Sequence, residues 1–138
     1  MTAFSTSDNS KRILIVDDDL SIRSGMSDLL SLSGYIVQSA SNTTAAQQML
    51  DHEVFDLVIT DILMPGESGL SLILELRRYG DAPKIIAISG GGKTKGSGLL
   101  KIAQKYGANR ILQKPISTKT LLMEIKAVFE ADDMNRET

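Results

Sequence analysis

Short β-branched runs alternate along this chain with stretches of helical spacing, and the alternation repeats five times. The runs fall at residues 13–16, 35–37, 57–60, 84–88 and 111–112. After the first, Ile22, Met26, Leu29 and Leu30 share one helical face. After the second come Ala45, Ala46, Met49 and Leu50, after the third Leu70, Ile73 and Leu74, and after the fourth Leu99, Leu100 and Ala103. Leu121, Leu122, Ile125, Val128 and Phe129 form the clearest stripe, after the fifth. Gly34, Gly80 and Gly107 stand where helices should stop, and Ser21, Ser68 and Ser117 where they could be capped.

Five strand–helix units with short connections imply right-handed crossovers and a parallel sheet covered on both faces. The runs ILIV, LVI and IIAI are nearly continuous in apolar residues, as strands buried on both sides should be. The pattern predicts an α/β three-layer sandwich with five strands and five helices. Ligands in such sheets bind beyond the carboxyl ends of the strands.

Composition narrows the picture. A chain of 138 residues has room for one domain and is long enough to bury roughly 68–70% of its unfolded surface. With 42% hydrophobic residues it reads as globular. The absence of cysteine excludes disulfides, thiol nucleophiles and thiolate zinc sites. Residues 1–10 are polar and read as a flexible tail, not a signal peptide. Residues 131–138 read as a polar C-terminal tail, which leaves 11–130 as the domain. No apolar run is long enough to span a membrane, and a cytoplasmic location with no membrane partner is expected. The net charge of −2 argues against direct nucleic-acid binding, which needs clustered basic groups.

The candidate chemistry sits at the predicted strand ends. Asp17, Asp18 and Asp19 follow the first strand, Asp61 the third, Ser89 the fourth and Lys114 the fifth. Any one acid could simply cap a helix, but all these positions converge on one edge of the sheet. Two carboxylates about 4 Å apart repel by roughly 4 kcal/mol at an effective dielectric near 20, so the cluster calls for a cation. Oxygen ligands without Cys or a nearby His favour Mg²⁺ or Mn²⁺. A carboxylate beside such an ion can act as a nucleophile toward phosphorus. The ion, the Lys114 ammonium and the Ser89 hydroxyl could then meet the three equatorial oxygens of the transition state. Asp19 reads as a helix cap or an indirect ligand, and His52 as a solvent-facing side chain.

Four segments, ILIVDDD at 13–19, LVITDILMPGESG at 57–69, IIAISG at 85–90 and LQKPIS at 112–117, together resemble the receiver domain of bacterial two-component response regulators. The resemblance covers about residues 11–130 and implies the flavodoxin-like fold with strand order 2-1-3-4-5. It assigns phosphate acceptance and metal contact to Asp61, metal binding to Asp17 and Asp18, and a backbone-carbonyl metal contact to Leu63. It makes Ser89 the switch hydroxyl and Lys114 the phosphate-contacting amine. Met64-Pro65-Gly66 and Gly69 match the family's turn after the acceptor strand, and Lys114-Pro115 resembles its cis peptide. By the same resemblance, a histidine kinase or histidine phosphotransfer protein is the donor and a downstream protein the target, with a phosphorylation-dependent homodimer as a further option. Such a domain accelerates its own phosphorylation and dephosphorylation but is not an enzyme in the turnover sense.

Two departures and three alternatives stand beside this reading. Ile111 occupies a position where the family often has an aromatic switch residue, so an aromatic gate does not carry over. The segment 90–98 has five glycines in nine residues and is expected to be a mobile loop. Gly92-Lys93-Thr94 resembles the end of a phosphate-binding loop, but Ala87 stands where its first glycine belongs. A haloacid-dehalogenase-type phosphatase would use Asp17 as nucleophile and Asp19 as general acid, leaving Asp61 unexplained. A receiver-like interaction module that is never phosphorylated is the third. Whether the chain is a single-domain regulator or a receiver cut from a larger protein stays open.

Overall fold

The computed structural model describes residues 11–90 and 95–137, with side-chain surroundings for 11–90 and 98–131. The expected tail at 1–10 lies outside the described residues.

Five parallel strands form the sheet: β1 (Arg12–Val16), β2 (Ile36–Ala40), β3 (Leu57–Asp61), β4 (Lys84–Ser89) and β5 (Arg110–Gln113), in the order 2-1-3-4-5. Between and after them run α1 (Leu20–Leu32), α2 (Thr43–His52), α3 (Gly69–Arg77), α4 (Lys95–Tyr106) and α5 (Thr118–Glu137). The architecture is the expected flavodoxin-like sandwich.

Side-chain alternation on the strands divides the core into two layers. Leu14, Val16, Val58, Ile85 and Ala87 pack with Ala46, Leu72, Ile73, Leu76, Leu100 and Ala103, residues of α2, α3 and α4. Ile13, Ile15, Leu57, Ile59, Ile86 and Ile88 pack with Leu30 of α1 and with Leu121, Ile125 and Val128 of α5. Each fully buried Leu or Ile contributes about 1.5–3 kcal/mol, so the central strands hold most of the apolar driving force. Gly34, Gly80 and Gly107 end helices with φ of 101°, 125° and 121°, as expected of stops.

Several expectations need correction. Residues 131–137 are not a tail but continue α5. Nothing in that polar stretch is a glycine or proline, so the helix begun by its packed first half has no local reason to stop. β2 lies at 36–40 rather than 35–37, because this edge strand is only half covered and tolerates Gln38 and Ser39. In α3 the buried side chains are Leu72, Ile73 and Leu76, beside the buried Gly69, while Leu74 is 46% exposed. That sequence is apolar on nearly every side, so periodicity alone could not orient it. The glycine-rich loop is shorter than expected: α4 starts at Lys95, and 91–94 lie outside the described residues. Asp19, not Ser21, caps α1, its Oδ1 accepting from the Ile22 N–H at 3.2 Å. Ser68 and Ser117 accept from Leu70 and Thr120 as caps should.

Candidate functional site

Strand register builds the site. Val16 lies opposite Thr60, so Asp17 and Asp61, the next residues, leave the sheet at one level. Asp61 is opposite Ile88, and Ser89 follows. Ser89 is opposite Gln113, and Lys114 follows, its N–H donating to the Ser89 carbonyl at 2.8 Å. A sheet paired this way cannot separate these residues without shifting register, and that would move core side chains to the wrong face.

Asp17, Asp61 and Ser89 are buried, and Asp18 is exposed. One carboxylate oxygen from each of Asp17, Asp18 and Asp61 lies within 4.8 Å of the others. Lys114 Nζ donates to Asp17 Oδ2 at 3.1 Å and to Asp61 Oδ2 at 3.2 Å. The other oxygen of Asp17 accepts from the Asp19 N–H at 2.9 Å. Asp61 Oδ1 is buried without a hydrogen-bond partner, alone in this respect among the described side chains. Leaving a buried acceptor unpaired costs about 1–3 kcal/mol, more when it is charged.

The electrostatics follow from that packing. Burial pushes the Asp61 carboxyl above its ordinary value and Asp17 adds to the rise, while Lys114 opposes them. The nearby Leu63 N–H also favours the carboxylate, but makes no hydrogen bond to Oδ1. Burial alone would lower the Lys114 ammonium, but the Asp17 and Asp61 carboxylates outweigh it and the net shift is upward. One cation thus serves two buried acids. A hard divalent cation fits what remains: an all-oxygen donor set and one unpartnered, buried acceptor.

Close backbone approach frames the pocket. A β-carbon on Gly69 would stand 2.2 Å from the Asp61 carbonyl oxygen, and one on Gly90 would stand 2.7 Å from Lys114 Cδ. The Lys114–Pro115 peptide is cis, as the resemblance implied, and so is Ala82–Pro83. Leu63 lies two residues past Asp61 in a minimal antiparallel ribbon, Leu63–Met64 against Glu67–Ser68, which the strand pattern did not reveal. Ile111 sits on β5, partly buried against the core layer of α4. Asp19 caps α1 from the surface and stands outside the acid cluster, whereas Asp61, which the phosphatase alternative leaves unexplained, stands within it.

Two contributors escaped the sequence reading. Arg23 donates from Nη1 to the Asp17 carbonyl at 2.9 Å, steadying the chain at the first acid. Glu67 Oε1 accepts from the Thr43 N–H at 3.0 Å and from the Thr43 hydroxyl. Neither has a local signal, since each partner is fixed only by the fold.

Residues 13–126 match the response regulator receiver domain family, and the chain belongs to it. A CheY-like response regulator receiver domain protein from Methanospirillum hungatei JF-1 superposes with a TM-score of 0.80 at 29% identity, covering 94% of this chain and 99% of the other. Protein PetR of Rhodobacter capsulatus is 35% identical over 119 residues, 85% of this chain and 48% of PetR. The transcriptional regulatory protein CpxR homolog of Haemophilus influenzae is 30% identical over 119 residues, 86% of this chain and 50% of that protein. The chain thus spans about half the length of the curated relatives it matches.

These relatives overturn one expectation. Several are named as transcriptional regulators, so the exclusion of nucleic acid is withdrawn. The net charge of a receiver-sized stretch reports on that stretch and carries no information about the other half of such proteins. No helix among the described residues is long and apolar enough to cross a membrane.

Proposed function

We propose that Asp61 accepts a phosphoryl group from a phosphohistidine on a histidine kinase or phosphotransfer protein. Asp17, Asp18, Asp61 and the Leu63 backbone carbonyl would hold the Mg²⁺, or Mn²⁺, that this needs. When bound, the cation neutralises the carboxylates and offsets charge on the phosphoryl oxygens. An Asp61 oxygen attacks phosphorus as the P–N bond breaks. The imidazole nitrogen keeps the bonding pair and takes a proton from solvent. Lys114, already 3.2 Å from Asp61, supplies a second positive charge to the transferred group. The Ser89 hydroxyl supplies a further donor. The domain thereby accelerates both its own phosphorylation and the later hydrolysis. The acyl phosphate carries roughly −1.5 to −2, by analogy with phosphorylated hydroxyls, where the carboxylate carried −1. This added charge and bulk then bias the surface of α4, β5 and α5.

One observation carries this reading: three carboxylates from two strand ends share a pocket with one ammonium, and the Asp61 oxygen not held by that ammonium is unpartnered. The test is incubation with Mg²⁺ and acetyl phosphate. Intact mass should rise by one phosphate, and Asp61→Asn should prevent it. Modification of a different residue would overturn the reading. So would no modification by acetyl phosphate or by any phosphohistidine donor, which would favour an unphosphorylated interaction module.

A further inference from the structure

A ring of contacts links the elements that carry the acid pocket, and Glu67 takes part in it through Thr43. The Asp17 N–H donates to the carbonyl of Ala40, the last residue of β2, at 3.2 Å. Three residues later Thr43 opens α2 and presents both its N–H and its hydroxyl to Glu67 Oε1. Glu67 and Ser68 pair with Met64 and Leu63 in the ribbon. The Gly69 N–H returns to the Ile62 carbonyl at 2.8 Å, next to Asp61. Lys114 completes the circuit between Asp61 and Asp17.

We infer that Glu67 is a positioning residue: its bond to Thr43 fixes the ribbon that carries Leu63, and with it the cation site, relative to the β1 acids. This rests on the metal-binding reading above. The N-terminus of α2 does not need Glu67 as a cap, because Asn42 Oδ1 already accepts from the Ala45 N–H at 2.7 Å. Glu67 instead takes an otherwise orphaned first-turn N–H, and its charge faces the positive end of the helix. That fixes one edge of the ribbon to α2, while Met64, buried in the core, fixes the other. With the Glu67–Thr43 bond opened, the ribbon would keep Met64 and the Gly69–Ile62 bond but lose its tie to α2, and Leu63 could drift from the β1 acids.

The experiment is calorimetric titration of the chain with Mg²⁺ alone, beside thermal melts without metal. Glu67→Ala should weaken Mg²⁺ binding about tenfold, the low end for residues that orient metal ligands from outside. Glu67→Gln should recover most of the affinity, since its amide oxygen can still accept from Thr43. Asn42→Ala should lower the melting temperature without weakening Mg²⁺ binding. If Glu67→Ala does not fold, Thr43→Val, which removes only the hydroxyl contact, should give a smaller loss of affinity in the same direction. Unchanged affinity in Glu67→Ala or Thr43→Val, a loss in Glu67→Gln as large as in Glu67→Ala, or an equal loss in Asn42→Ala, would overturn the inference alone. Failure of the unaltered chain to bind Mg²⁺ would sink the metal site and this inference together.

Discussion

Gly69 lies so close to Asp61 that a β-carbon on it would meet the Asp61 carbonyl oxygen at 2.2 Å and Thr60 Oγ1 at 3.0 Å. The obstruction is backbone of a central strand, which cannot swing aside as a flexible side chain could. We expect Gly69→Ala to destabilise the fold by about 3 kcal/mol, the upper end for overpacking, and to abolish labelling of residue 61 in whatever fraction folds. Gly66→Ala is the control. Its φ is +75° but its surroundings are open, so only the left-handed backbone is penalised, by about 1 kcal/mol. Urea denaturation of the pair would measure both, and equal effects would refute the steric account.

Lys114 neutralises two buried carboxylates, and its own side chain is 21% exposed. Lys114→Met keeps the apolar stem and removes the charge. Without metal we expect a loss of about 3 kcal/mol at neutral pH, the lower end for stranding a buried partner. At one saturating Mg²⁺ concentration the gap should narrow, because the variant, with its two acids uncompensated, binds the cation more tightly and each tenfold in Kd adds about 1.4 kcal/mol. A loss that Mg²⁺ leaves untouched would mean that the ion and the ammonium do not compensate the same charge.

The raised Asp61 carboxyl predicts a pH dependence of definite sign. Its proton is bound more tightly in the folded than in the unfolded chain. The stability this contributes is present below the unfolded value of 3.8 and is lost as pH rises through the folded value. In EDTA, stability should therefore fall with rising pH across that window, and Asp61→Asn should remove that part of the slope. Mg²⁺ should stabilise the unaltered chain at neutral pH more than Asp61→Asn. Denaturation midpoints across a pH series would show this, and parallel curves for the two proteins would contradict it.

Gly25 lies inside the unbroken α1, and a β-carbon there would meet nothing within 4 Å. Glycine inside a helix costs about 0.5–1 kcal/mol relative to alanine. Gly25→Ala should raise stability by about that amount without altering Mg²⁺ affinity. A destabilised variant would mean that a neighbour crowds this position.

Much of this protein is legible residue by residue. The five apolar runs, the glycine stops and the acids, hydroxyl and amine at strand ends all follow from local preference. The β period and the helical period bury different sets of side chains, so the chain declares its layers before it folds. That logic fails where burial is partial or uniform: it misplaced β2, an edge strand with polar members, and could not orient α3, apolar on most sides.

What the sequence by itself determined was the order of elements and the inventory of charged groups available to a site. Only the tertiary structure decided how those groups share their partners. Parallel register sets Asp17 beside Asp61, Lys114 spans both, and Glu67 reaches Thr43 across 24 residues of chain. The reason is that hydrogen bonds and buried charges act over a few ångströms of space, whereas sequence pattern encodes only which face of its own element each residue will take.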